Sequence, residues 1–260
     1  MRETRHAAGP VAEAMTADAD RTAFEGLAAA GADDDSAPRA LARRLKANPN
    51  PSDLQALAAL WIHGAAAAPE RIAGIYDAAC EGWLGEPLGV AAINSAGGRP
   101  EPVPPAFWEA LWSLLDEPRA GLQAVNVTTR TAALAGLVSP NIAARVGRSA
   151  AAFPGVSAAV AQGYPKKFSL DALARCAPDS LAGQLHALVV DNGFDLEVLD
   201  REALGLRSLP PPLDYLNARI LQCHDIWHIV AGYQTTALHE VAISGFQLAQ
   251  FGHHYSAMFL

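Results

Sequence analysis

The chain has 260 residues, 51% hydrophobic but only 7% aromatic, with 27 acidic and 19 basic side chains and a net charge of -8. That length supports a sizeable core without disulfides or a structural metal, and the acidic balance lacks the basic footprint of a nucleic-acid binder. More than half of the net charge lies in residues 1–35, where Glu3, Glu13, Asp18, Asp20, Glu25, Asp33, Asp34 and Asp35 outnumber Arg2, Arg5 and Arg21.

Residues 1–36 are rich in Ala, Gly and Asp with almost no large apolar groups, so the expectation is an acidic tail that cannot offset its ordering entropy. From Pro38 onward Leu41, Leu45, Leu54, Leu57, Leu60 and Trp61 recur at three- and four-residue steps, interrupted by Asn48-Pro-Asn-Pro51. A second helical run spans 72–83. An extended linker over 97–105 leads to the stripe Phe107, Trp108, Leu111, Trp112 and Leu115. Alternation typical of a strand occurs only at 124–129. The reading is all-α: an acidic tail over 1–36 and one helical domain over 37–260.

Cys80, Cys176 and Cys223 are scattered and form no C-x-x-C pair, so neither a disulfide framework nor a thiolate zinc knuckle is encoded. The amino terminus lacks the apolar stretch of a signal peptide, and no apolar run approaches the ~20 residues that span a bilayer. An intracellular protein, soluble or peripheral, is expected. Asn126-Val-Thr128 is then a chance glycosylation match. Between Glu117 and Asp171 there is no acid, yet Arg119, Arg130, Arg145, Arg148, Lys166 and Lys167 fall there with Phe153, Tyr164 and Phe168. Such a run is either an ordinary solvated face or a surface for anionic lipid headgroups.

The chemistry concentrates in the last 50 residues. After Pro210-Pro-Pro212, Asp214 is placed to cap a helix over 215–231 that Gly232 stops. Its packing stripe is Leu216, Ile220, Cys223, Trp227 and Val230. His224 and His228 are four residues apart, about 40° around the axis, so their rings can converge on one ion. Asp225 can join them as a ligand or orient one ring from behind. A further helix can start at Thr235 or Thr236, with Glu240 in or near its first turn. From 226 to 260 Glu240 is the single formally charged side chain, set among Leu238, Val241, Ile243 and Phe246. Burying it without a cation would be costly. Two imidazoles with Asp225 and Glu240 make a donor set suited to zinc, and also to iron.

Other readings fit less well. A zincin needs Glu directly after its first histidine to act on the zinc-bound water, and the shorter Asp225 reaches poorly. An HD-type phosphohydrolase needs a later Asp, and none follows position 225. His239, His253 and His254 have no assigned role, although His253 and His254 can line the same pocket or sit in hydrogen-bonded core or surface positions. Cys223 reads as an inert thiol in the packing stripe.

The stretch 179–260 resembles the Coq4 family of ubiquinone (coenzyme Q) biosynthesis proteins. The resemblance is carried by His224-Asp-Ile-Trp-His228, Gly232 and Glu240, by Asp179-Ser-Leu-Ala-Gly183 and Asn192-Gly-Phe-Asp195 before them, and by Phe246-Gln-Leu-Ala-Gln-Phe-Gly-His-His-Tyr255 after them. It implies His224, Asp225, His228 and Glu240 as ligands of a metal usually taken as zinc, with the site between two helices. It implies an all-helical protein that binds isoprenoid lipids, works with other ubiquinone-biosynthesis proteins, and sits peripherally on an inner membrane, with a homodimer possible. The Ala- and Arg-rich composition points to a bacterial cytoplasm; in a eukaryote the place would be the mitochondrial matrix side. The implied reaction is oxidative decarboxylation at ring carbon one of a polyprenylated hydroxybenzoate, the carboxyl being replaced by hydroxyl. The alternative is a non-catalytic lipid-binding scaffold. The chain ends at Ala257-Met-Phe-Leu260 inside an apolar pattern where family members continue, so either a truncation or a partner that replaces the missing helices is expected.

Overall fold

The computed structural model describes residues 18–32, 34–89, 98–116, 124–197 and 199–260. Among them every regular element is helical, as the periodicity predicts. No helix is long and apolar enough to cross a membrane. The chain forms two compact units, the first ending at Arg145 and the second running from Val146 to Leu260. Helix α7 covers Pro140–Ala151.

The first unit corrects the reading of the acidic tail. Positions 1–17 and 33 lie outside the described residues, but Asp18–Ala30 is a helix, α1. It buries Phe24 and Ala28 against Ala59 and Trp112, and the Phe24 ring meets Trp108 and Trp112 edge-on at 6.2 and 5.6 Å. A count of large apolar groups misses this helix, because one Phe and an Ala one turn later suffice to fill a close helix contact.

Helices α2 (Ser36–Ala47), α3 (Pro51–Ile62) and α4 (Ile72–Leu84) follow. Asn50 starts α3 by accepting a hydrogen bond from the Asp53 N–H at 2.9 Å, and Pro51 supplies a first-turn residue with no donor to lose. Leu41, Leu60 and Ile75 join the three helices in one cluster.

Helix α5 (Pro105–Leu115) carries the aromatic stripe, and α6 (Ala124–Ala135) is helical through the strand-like alternation over 124–129, in line with the all-α reading. That alternation was too short to hold strand geometry once helix formers from Ala132 to Ala135 propagate through it. Near the end of this unit Arg145 is buried and forks onto Glu70, with Nε–Oε1 at 2.7 Å and Nη2–Oε2 at 2.6 Å. Its Nη1 also donates to the Arg99 carbonyl at 2.9 Å.

That pairing withdraws Arg145 from the basic run. Arg119 lies outside the described residues, and Phe153 is buried. Lys166 and Lys167 are exposed, with Lys167 3.9 Å from Glu197.

In the second unit α8 (Val156–Val160), α9 (Leu170–Leu173) and α10 (Leu181–Asn192) precede the long α11 (Leu213–Ala231), then α12 (Ala237–Phe251) and α13 (His254–Phe259). Ser180 caps α10 by accepting from the Gly183 N–H at 3.1 Å. Leu173, Leu185 and Val189 pack against Ile226 and Ile229 of α11. Gln222 on α11 donates to the Lys166 carbonyl at 2.5 Å, and the buried Arg201 donates to the Pro165 carbonyl at 2.6 Å. These two bonds fasten the 165–166 segment within the unit. Helix α11 starts two residues earlier than predicted. Asp214 therefore lies inside its first turn rather than capping it, and suits the positive end of the helix dipole there.

Candidate metal centre

The turn between α11 and α12 sets the geometry. Gly232 closes α11 in the left-handed region at φ +71°, and α12 starts after Thr236, whose side chain makes no capping bond. Trp227 on α11 packs on Phe246 and Phe251 of α12, with centroids 5.4 and 5.7 Å apart. Ile243 and Leu248 are fully buried on α12. Gly252, at φ +59°, then lets the chain turn into α13. A side chain there would place its first carbon 2.3 Å from the Phe153 ring.

This frame puts Glu240, in the first turn of α12, across from the histidines of α11, as the spacing predicted. His224 Nε2 lies 3.2 Å from Glu240 Oε2, and His228 Nε2 lies 3.3 Å from Glu240 Oε1. The two imidazole centroids are 4.9 Å apart. His228 is buried, whereas His224, Asp225 and Glu240 are half-buried. His224, Asp225 and His228 each bring a ligand atom within 4.8 Å of the others, a grouping able to hold a metal ion. Glu240 is outside that triad but touches both rings.

The remaining ring nitrogens both face oxygen acceptors. His228 Nδ1 is 3.1 Å from the Tyr233 carbonyl. A carbonyl only accepts, so Nδ1 carries a hydrogen there, which leaves Nε2 as the nitrogen that faces Glu240 and that an ion would use. His224 Nδ1 is 3.2 Å from Asp225 Oδ1, which has the same consequence for the neutral form. Asp225 thus lies where it can orient the His224 ring, and its carboxylate is also close enough to the two imidazoles to join them as a ligand.

Charge follows from this arrangement. Burial pulls the His224 pKa down, but hydrogen bonds and charge from Asp225 and Glu240 outweigh it, leaving it at about 9. Burial raises the Glu240 pKa, and the two imidazoles overcome that to bring it to about 2. In the ion-free protein a proton on His224 thus stands where a cation would be held. Two imidazole nitrogens, the Glu240 carboxylate and the nearby Asp225 carboxylate form a set that a divalent ion fits.

The other histidines separate from the site. His253 is held in a hydrogen-bonded network, with Nδ1 2.7 Å from Ser256 Oγ and Nε2 2.9 Å from Asn217 Oδ1. Burial, with His254 beside it, pushes its pKa down to about 3. His239 accepts a bond from the Gln234 N–H at 2.9 Å and braces the α11–α12 turn. Burial raises the Cys223 pKa, consistent with an inert thiol. Val230, expected in the packing stripe, is 62% exposed. The role of the Tyr233 carbonyl had no sequence signal, since every residue offers one.

Residues 169–259, about a third of the chain, match the family model described as Coenzyme Q (ubiquinone) biosynthesis protein Coq4. The match contains the whole cluster from His224 to Glu240. No curated protein and no solved structure gives a significant match.

Proposed function

We propose, taking residues 169–259 as a Coq4-family segment, that the protein acts in ubiquinone biosynthesis through a divalent ion held by His224, Asp225, His228 and Glu240. The reaction in this reading removes the carboxyl group at ring carbon one of a polyprenylated hydroxybenzoate and leaves a hydroxyl in its place. That exchange releases carbon dioxide and withdraws two electrons, so an external two-electron oxidant such as dioxygen is required. A bound ion supplies an anchor for the substrate carboxylate or phenolate and, if it is iron rather than zinc, a redox centre as well.

The observation that carries the reading is Glu240 within 3.3 Å of the Nε2 atoms of both histidines. The chain's own groups divide the work. His224 and His228 present Nε2 lone pairs, with Tyr233 and Asp225 holding the opposite nitrogens. Glu240 supplies negative charge beside them, and its half-exposed carboxylate marks the side open to a ligand.

The test is turnover of a prenylated hydroxybenzoate by purified protein loaded with zinc or with ferrous iron. His228→Ala and Glu240→Ala should keep their helical circular dichroism and lose carbon dioxide release. If both variants fold and turn over normally, the catalytic reading is lost. If both unfold, the metal is structural and the scaffold reading replaces it.

A further inference from the structure

The second unit gathers cations that its own acids do not neutralise. They lie along residues 164–166, which touch both the turn Leu206–Ser208 and α11. The Tyr164 ring is covered by Arg207, whose guanidinium carbon is 4.0 Å from the ring centre, with that of Arg201 at 5.7 Å. Arg201 holds the Pro165 carbonyl. Gln222 holds the Lys166 carbonyl through its amide nitrogen, and its amide oxygen accepts from Arg219 Nη1 at 2.7 Å. Arg207, Arg219 and the Lys166 side chain therefore meet on one short segment.

The acids nearby are engaged elsewhere. Glu197 takes Arg201 on both oxygens, with Lys167 3.9 Å away. Asp200 accepts the backbone N–H groups of Glu202 and Ala203 at 2.8 and 3.4 Å, and the cation that acts on it is Lys167. Glu202 is exposed and pairs with none of these cations. Among the described residues no carboxylate comes within 4.0 Å of Lys166, Arg207 or Arg219, and that includes Asp214 and Asp225 of α11. Arg219 is half-buried and lies over the Tyr215 ring at 5.6 Å. Its partners, Gln222 Oε1 and the Tyr215 hydroxyl at 3.3 Å, are neutral. A guanidinium partly withdrawn from water and left without a carboxylate draws an anion. Stacking on a Tyr face leaves the N–H fork of Arg207 available in its own plane. The exposed Lys166 adds a third, flexible charge. Three such donors suit phosphate, which carries more charge and more acceptor oxygens than a carboxylate.

We propose that Lys166, Arg207 and Arg219 form a phosphate-binding site, the phosphate being that of a soluble ester or of an anionic lipid headgroup. Arg219 precedes His228 by nine residues, about 180° around α11 and ~13 Å along its axis. The site is therefore separate from the metal centre and stands without it.

The test titrates the 260-residue chain with inorganic phosphate at constant ionic strength, with acetate as the carboxylate control. A separate arm uses phosphatidylcholine vesicles with and without phosphatidylglycerol. Phosphate should bind one-to-one in calorimetry, and acetate at least about tenfold more weakly. Arg219→Gln should weaken phosphate about tenfold, Arg207→Gln about fivefold and Lys166→Gln about threefold. Positions 166 and 207 are exposed, so circular dichroism of those two variants should match the wild type, and the outcome does not depend on how Arg219→Gln folds. His228→Ala should bind phosphate as the wild type does. Binding to phosphatidylglycerol vesicles in place of inorganic phosphate, weakened by the same substitutions, assigns the headgroup as the source. The proposal is overturned if neither probe binds, if Arg207→Gln and Lys166→Gln both bind like the wild type, or if acetate binds as well as phosphate. It is also overturned if a folded His228→Ala loses phosphate, because the anion would then sit at the metal centre.

Discussion

Two carboxylates, one in each unit, are neutralised in opposite ways. Glu70 is buried against Arg145, a guanidinium that stays charged and meets both of its oxygens. Glu240 lies against two imidazoles, which are cations only when protonated and can give up their Nε2 protons. The first arrangement is self-contained and fits a structural tie. The second is complete only with a proton or a metal ion, and that difference separates a structural ion pair from a candidate reactive site.

Breaking the self-contained pair should have the largest effect on stability. Arg145→Leu leaves the Glu70 carboxylate buried without a counter-charge and should cost ~3–5 kcal/mol in urea denaturation. A loss below about 1 kcal/mol would mean that water reaches Glu70 and that the contrast between the two sites is overstated.

The next effect belongs to the other region. His228→Ala removes a ligand whose Nε2 is fixed by the Tyr233 carbonyl, so zinc affinity should fall by more than about 100-fold, beyond the loss typical of an outer-shell partner. The measurement is competition against a calibrated chelator, with circular dichroism confirming the fold.

Protons sharpen the comparison further. His224 holds its proton up to about pH 9 in the ion-free protein, and a metal must displace it. Affinity should therefore rise about tenfold per pH unit from roughly 6.5 toward that value. Stability of the ion-free protein should move the other way. The raised His224 pKa stabilises fully below about pH 6.5 and is lost as pH climbs through about 9. The lowered Glu240 pKa stabilises above about 4.5 and is lost as pH falls through about 2. The Arg145 pKa is raised by Glu70, so that guanidinium stays charged throughout. Metal affinity that is flat between pH 6.5 and 9 would contradict the proton-for-metal exchange.

The smallest effect tests the frame rather than the site. Ser180→Ala removes the cap of α10, whose Leu185 and Val189 pack on α11, and should cost ~1 kcal/mol while leaving zinc affinity unchanged. A parallel loss of zinc affinity would show that α10 packing positions the histidines.

Much of this arrangement was legible in the residues. The His224–His228 step fixed two rings on one face of a helix, and the scarcity of charge after position 226 singled out Glu240 before any geometry was known. Three features were not legible. Helix α1 is built on Phe24 and small residues, which composition counts as tail. The partnership of Arg145 with Glu70 joins residues 75 apart, and no local spacing reports it. The orientation of His228 depends on a backbone carbonyl, which carries no side-chain signature. Local periodicity reports faces of single helices, whereas these three features depend on which faces meet.

The most direct test of the metal centre is calorimetric titration of the metal-stripped 260-residue chain with zinc, run beside His224→Ala and Glu240→Ala. One equivalent should bind to the wild type with proton release, and both variants should lose that binding while keeping their helical spectrum. If the wild type binds no ion, or binds it equally well without His224 and Glu240, the cluster is a hydrogen-bonded group of core side chains and the metal centre is refuted.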